Sequence, residues 1–239
     1  FTNDASATGI GSIDSAGSFN NDSGFSIVSY TGTGSNGTIK HGLSTAPDMI
    51  IVKRRDGADG WKVYNSPRGA TKYLQLNTTD AEGTLSSQWN NTEPTSSVFS
   101  VGTAGDINGS GGRTYIAYCF ANKQGFSKIG SYTGNGSGTD GTFVYTGFLP
   151  SFIMFKSTST TGGWEIHDNK RDTFNVSSKR LFPNLSNAEA TENYVDFVSN
   201  GFKFRTGDAN GNTNGTSYIY MAFAENPFVT STGIPTTAR

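Results

Sequence analysis

Residues 24–34 read GFSIVSYTGTG, and residues 125–136 read GFSKIGSYTGNG. Each phrase alternates apolar or aromatic residues with small polar ones and ends in a glycine turn, which is the pattern of a β-strand entering a loop. Their recurrence about a hundred residues apart points to one β module written twice. Further matches follow in the same order. HGLSTAPDMIIVKRR (41–55) matches TGFLPSFIMFKS (146–157), with Pro47 and Pro150 before an apolar run that ends in Lys53 or Lys156. DGWKVYNSPR (59–68) matches GGWEIHDNKR (162–171), aligning Trp61 with Trp164 and Tyr64 with His167. GDINGSGGRTYIAYCFAN (105–122) matches GDANGNTNGTSYIYMAFAEN (207–226).

This pattern predicts an all-β chain of two tandem antiparallel β-sandwich repeats, jelly-roll or lectin-like, of about 100 residues and about seven strands each. Two separate sandwiches are favoured over one larger sandwich with pseudo-twofold symmetry. The expected boundaries are an N-terminal arm or linker at 1–23, repeat 1 at 24–123, repeat 2 at 124–228 and a tail at 229–239. The only segments expected to form a helical turn are 78–84 and 187–193.

Composition agrees with many strands and turns: 31 of 239 residues are glycine and only 15% are charged. The net charge of −1, with no basic stripe, argues against nucleic acid as a partner. No apolar run has the length of a membrane-spanning helix. A single cysteine, Cys119, leaves no intrachain disulfide and no cysteine-based zinc site, and its place in an apolar strand reads as a small buried hydrophobe. The chain begins at Phe1, so a fragment or processed product is expected.

Catalytic signatures are missing: there is no GxSxG, HExxH or P-loop. His41 aligns with Thr146, so neither histidine falls at a duplicated site. Glu82, Glu189, Glu165 and Asp168 are the carboxylates that a glycoside hydrolase would need, although acids in polar turns more often cap backbone N–H groups. The loops place Asp106, Asn108 and Ser110, and then Asp208, Asn210 and Asn212, at alternate positions that could wrap Ca²⁺, but the bidentate acid at the twelfth position is missing. Trp61 and Trp164, with Tyr64 and His167 on the same short strands, form the candidate ligand-contacting set, because an exposed indole can stack on a sugar ring. The competing reading, that both tryptophans are core residues, is the stronger one.

With GFSIVSYTGTG, HGLSTAPDMIIVK, GATKYLQLN (69–77) and TYIAYCFA (114–121) in that order, residues 24–228 resemble a repeated β domain of unknown function found in structural proteins of tailed bacteriophages, especially those of cyanobacteria and other marine bacteria. The resemblance implies a virion protein, a tail fibre or tail-associated component, that contacts host surface glycan or another envelope component. Implied partners are other virion proteins and further copies of the chain, with a trimer as the expected oligomer. It carries over no catalytic residue. Two alternatives stay open, a purely structural virion component such as a head-decoration or connector protein, and a glycan depolymerase.

Overall fold

In the computed structural model, which describes residues 1–226, the chain forms two compact units. Unit 1 is Phe1–Leu76 with Glu82–Asn122; unit 2 is Asn77–Ala81 with the described residues from Lys123 onward. The expected tail at 229–239 lies outside the described residues.

Unit 1 begins with β1 (Thr2–Asn3), α1 (Ala5–Thr8), β2 (Ser15–Asn20), β3 (Phe25–Thr31) and β4 (Gly37–Lys40). It continues with β5 (Met49–Arg54), β6 (Lys62–Asn65), β7 (Lys72–Gln75) and β8 (Gly83–Thr84). It ends with α2 (Ser86–Trp89), β9 (Val98–Val101), α3 (Gly105–Asn108) and β10 (Thr114–Phe120). Unit 2 contains β11 (Ser127–Thr133), β12 (Phe143–Tyr145), β13 (Pro150–Ser157) and β14 (Trp164–Asp168). Then follow β15 (Ser177–Arg180), β16 (Ala190–Val198), β17 (Gly201–Phe204) and β18 (Ser217–Ala224).

The fold is all-β, and the strands within its sheets pair antiparallel, as in a β-sandwich. In unit 1 the sheet β1-β2-β3-β10-β5-β6-β7-β8 is joined by the pair β4-β9; in unit 2 the sheets are β11-β18-β13-β14 and β12-β17-β16-β15. Each unit has its own core. Val28, Tyr30, Ile50, Val52, Tyr115, Ala117 and Cys119 from the large sheet meet Ile39, Phe99 and Val101 from β4 and β9. In unit 2, Ile153, Phe155, Tyr220 and Ala222 meet Val144, Phe197, Phe202 and Phe204. Burial alternates along β3 and β10 because successive side chains on a strand point to opposite faces.

The order β3-β10-β5-β6 in unit 1 has the same form as β11-β18-β13-β14 in unit 2. Cys119 faces Ile50 as Ala222 faces Ile153. Where bulk differs, it differs in compensating pairs. Val28 stands opposite Ala117, whereas Gly130 stands opposite Tyr220, and a Cβ on Gly130 would lie 2.8 Å from the Tyr220 ring.

Two expectations are corrected. Residues 1–23 are no free arm: β1 and β2 extend the large sheet, and Asn3, Ala5, Ile13 and Ser15 are buried. Asp4 caps α1 by accepting from the N–H groups of Ser6 and Ala7. Among the described residues the helical turns fall at α1, α2 and α3, while the expected turn at 187–193 runs into strand β16 from Ala190 onward. A polar composition suits an edge strand as well as a linker, which is why the segment at 1–23 misleads.

Candidate functional site

The repeated SYTG phrase builds a lock between strand and loop. Tyr30 stacks on Tyr115 with ring centroids 5.3 Å apart, and its hydroxyl donates to the Ile107 carbonyl at 2.7 Å. Tyr132 stacks on Tyr218 at 4.9 Å and donates to the Gly211 carbonyl at 2.9 Å. The glycine that follows is required by close approach: a Cβ on Gly32 would come within 2.3 Å of the Gly109 carbonyl oxygen, and one on Gly134 within 2.3 Å of that of Thr213.

A fully buried asparagine completes each lock. Asn108 donates from Nδ2 to the carbonyls of Ser35 and Gly102, both at 2.7 Å, and accepts the Thr33 N–H at 2.9 Å. Asn212 donates to the carbonyls of Ser137 (3.1 Å) and Thr206 (2.8 Å) and accepts the Asn135 N–H at 3.1 Å. Asn108 therefore corresponds to Asn212, and the match of Asp106 with Asp208 suggested by the shared GD is out of register by two residues.

That register separates the expected calcium ligands. Asp106 sits 3.0 Å from Lys62 Nζ and accepts the Gln88 amide. Asp208 accepts the Tyr194 hydroxyl at 2.7 Å and the Asn210 N–H at 2.8 Å. Asn210 accepts the Gly163 N–H, and Ser110 is exposed at the loop surface. The amides of Asn108 and Asn212 are occupied by backbone. Among the described residues no three His, Cys, Asp or Glu side chains converge as a metal would need.

The aromatic set also divides. Trp164, Tyr64 and His167 are buried, so they offer no stacking face to a ligand; only Trp61 is half-exposed, stacked on Tyr118. Tyr64 donates to Glu93, which in turn accepts the Ala70 N–H. His167 packs against both Phe155 and Tyr194, and burial holds its imidazole below the ordinary value. The carboxylates weighed for hydrolysis are held by arginines: Glu82 by Arg68, Asp168 and Glu189 by Arg171, and Glu165 by Arg180 at 3.3 Å. Burial pushes the Cys119 thiol up to about 12, so it is a packing group.

An exposed aromatic pair lies instead on β12. Val144 points into the core, so Phe143 and Tyr145 on either side of it point out, 45% and 63% exposed. Across the ladder Phe143 faces Lys203 and Tyr145 faces Gly201. Gly201 is buried under the Phe143 ring and is required by close approach, since a Cβ there would lie 2.1 Å from the Val144 carbonyl oxygen. Lys203 pairs with Asp140, and Arg205 pairs with Asp196 while donating to the Thr139 carbonyl. Two aromatic faces bordered by two ion pairs are suited to a ring with one apolar and several hydroxyl-bearing surfaces. The signal for this strip was the aromatic-Val-aromatic alternation in FVY, which on a half-buried strand forces either the valine or both rings outward.

No curated protein and no solved structure matches the chain. A family model does match, across residues 2–227, and the chain belongs to that family, described as Domain of unknown function (DUF7483).

Proposed function

We propose that this chain is a bacteriophage virion protein, a tail-fibre or tail-associated module, that binds glycan on the host surface through the strip formed by Phe143 and Tyr145. The observation that carries the binding reading is that two aromatic rings stand exposed side by side on one strand, next to Lys203, Asp140, Arg205 and Asp196. The virion assignment rests on the resemblance of the ordered motifs, and the matching strand order and tyrosine–asparagine locks support a duplicated module. Copies assembled on one fibre would multiply a weak sugar affinity through effective concentration. The test is a glycan array together with adsorption to bacterial cells, comparing the chain with Tyr145→Ala and Phe143→Ala. Specific binding that both substitutions reduce supports the proposal; binding that neither changes removes the strip from it.

A second reading, a purely structural virion component, is favoured by Phe174, Leu181 and Leu185, which are 85%, 38% and 44% exposed and are suited to burial under a neighbouring subunit. A stable oligomer that binds no glycan would select it.

A further inference from the structure

We propose that unit 1 carries a second, separate site, a pocket for one neutral sugar ring, built by the N-terminal segment. Thr2, Asp4, Asp14, Thr31, Arg55 and Thr114 line a depression of about 330 Å³. That volume lies at the small end of the ~300–1,000 Å³ span of small-molecule pockets.

The chemistry of the walls follows from how the segment folds. Asp4 Oδ1 accepts the Ser6 and Ala7 N–H groups, and Asp14 Oδ1 accepts the Ala5 N–H at 2.8 Å, so these turns hold both carboxylates at the rim, and their second oxygens meet no donor among the described residues. The backbone N–H of Arg55 donates to the Thr114 carbonyl at 2.8 Å, fixing the base of the side chain. Its neighbour Arg54 takes the nearby acids Asp56 and Asp59, and the exposed Arg55 guanidinium has no ion pair among the described residues.

Unit 2 supplies the control. Thr158 there makes the same backbone bond, to the Ser217 carbonyl at 2.8 Å, but its side chain is fully buried and bonds the same carbonyl. Among the described residues the unit 2 sheet ends at β11, with no strands added beyond it. The pocket therefore depends on two things that the described residues of unit 2 lack, the segment β1–α1–β2 and an arginine at position 55.

Charge selects the ligand. An anion would meet Asp4 and Asp14, and a cation would have to compete with the Arg55 guanidinium for those two carboxylates. Sugar hydroxyls both donate and accept, so one neutral pyranose can give hydrogen bonds to the carboxylates and take them from the guanidinium and the threonines.

This site does not depend on the fibre reading, and its test separates the two. The purified chain, Arg55→Ala and Tyr145→Ala are titrated by ligand-observed NMR with free glucose, galactose and mannose, with glucuronate and glucosamine as charged probes. The expected result is binding of a neutral hexose that Arg55→Ala weakens about tenfold or more and Tyr145→Ala leaves unchanged. Binding of no neutral hexose, preference for a charged probe, or loss of binding in Tyr145→Ala but not in Arg55→Ala would each overturn it. Arg55 is exposed, and a circular dichroism melt equal to that of the parent shows that the variant folds.

Discussion

Lys62 stands opposite Val52 in unit 1, and Glu165 stands opposite Phe155 at the corresponding place in unit 2. Both are buried, with opposite charge. Lys62 meets Asp106, Gln75 and the Tyr73 ring; Glu165 meets Arg180, with His167 Nε2 3.6 Å away. The tyrosine–asparagine lock, by contrast, is the same in both. The contrast locates the constraint: backbone carbonyls and N–H groups must be satisfied in one way, whereas a buried charge needs only some opposite partner and a core position only some matching volume.

The first way to break the comparison is at the lock. Asn108→Ala and Asn212→Ala each orphan buried backbone groups and should lower stability by about 3 kcal/mol, the two within about 1 kcal/mol of each other, in urea denaturation followed by tyrosine and tryptophan fluorescence. A loss confined to one of them would show that the locks are not equivalent.

Volume comes next. Gly130→Val should cost about 1–3 kcal/mol by forcing the Tyr220 ring aside. Combined with Tyr220→Ala, which restores the pairing of unit 1, it should cost less than the sum of the single changes by about 1–2 kcal/mol in a double-mutant cycle.

A smaller effect is expected at Lys156, which is fully buried with Nζ donating to the Ser157 carbonyl, whereas Lys53 in unit 1 is half-exposed. Burial lowers the Lys156 amine from 10.5 to about 8, with Asp80 acting weakly in the other direction. The folded state thus gives up this proton at lower pH than the unfolded chain does. The cost of burying the charge is fully present below pH 8, and stability rises as pH climbs from about 8 to 10.5. Lys156→Met should add about 1 kcal/mol at neutral pH and flatten that rise in melting experiments across pH.

The smallest effect is acidic. Burial lowers both His41 and His167, so below pH 6.5 the unfolded chain binds protons that the folded chain does not, and stability falls as pH falls. His41→Thr imports the residue of unit 2: the Leu43 N–H bonds His41 Nδ1 as the Phe148 N–H bonds Thr146 Oγ1. This variant should keep the turn and lose unit 1's share of the acid sensitivity; an unchanged pH profile would reject the assignment.

The sandwich was legible because GFSIVSYTG and MIIVK carry strand periodicity and the glycines carry the turns. The loop register was not, since it is decided by which carbonyls an asparagine amide reaches, and the shared GD letters say nothing about that. Trp61 and Trp164 read alike in sequence and differ in burial, because burial depends on what lies across the sheet. The β12 strip was hidden for the reverse reason: aromatic residues such as Phe143 and Tyr145 usually point inward, and only the pairing of β12 with β17 fixes which face they take. Arg55 differs from Thr158 by one letter, and its meaning depends on the segment folded beside it.

Both margins of the eight-stranded sheet, β1 and β8, are only two residues long. A long bare margin is a template onto which another chain can zip, and two residues give such a chain almost nothing to grip. The largest sheet in the molecule is in this way blunted against fibril growth at both ends, a form of protection that needs neither a disulfide nor a chaperone.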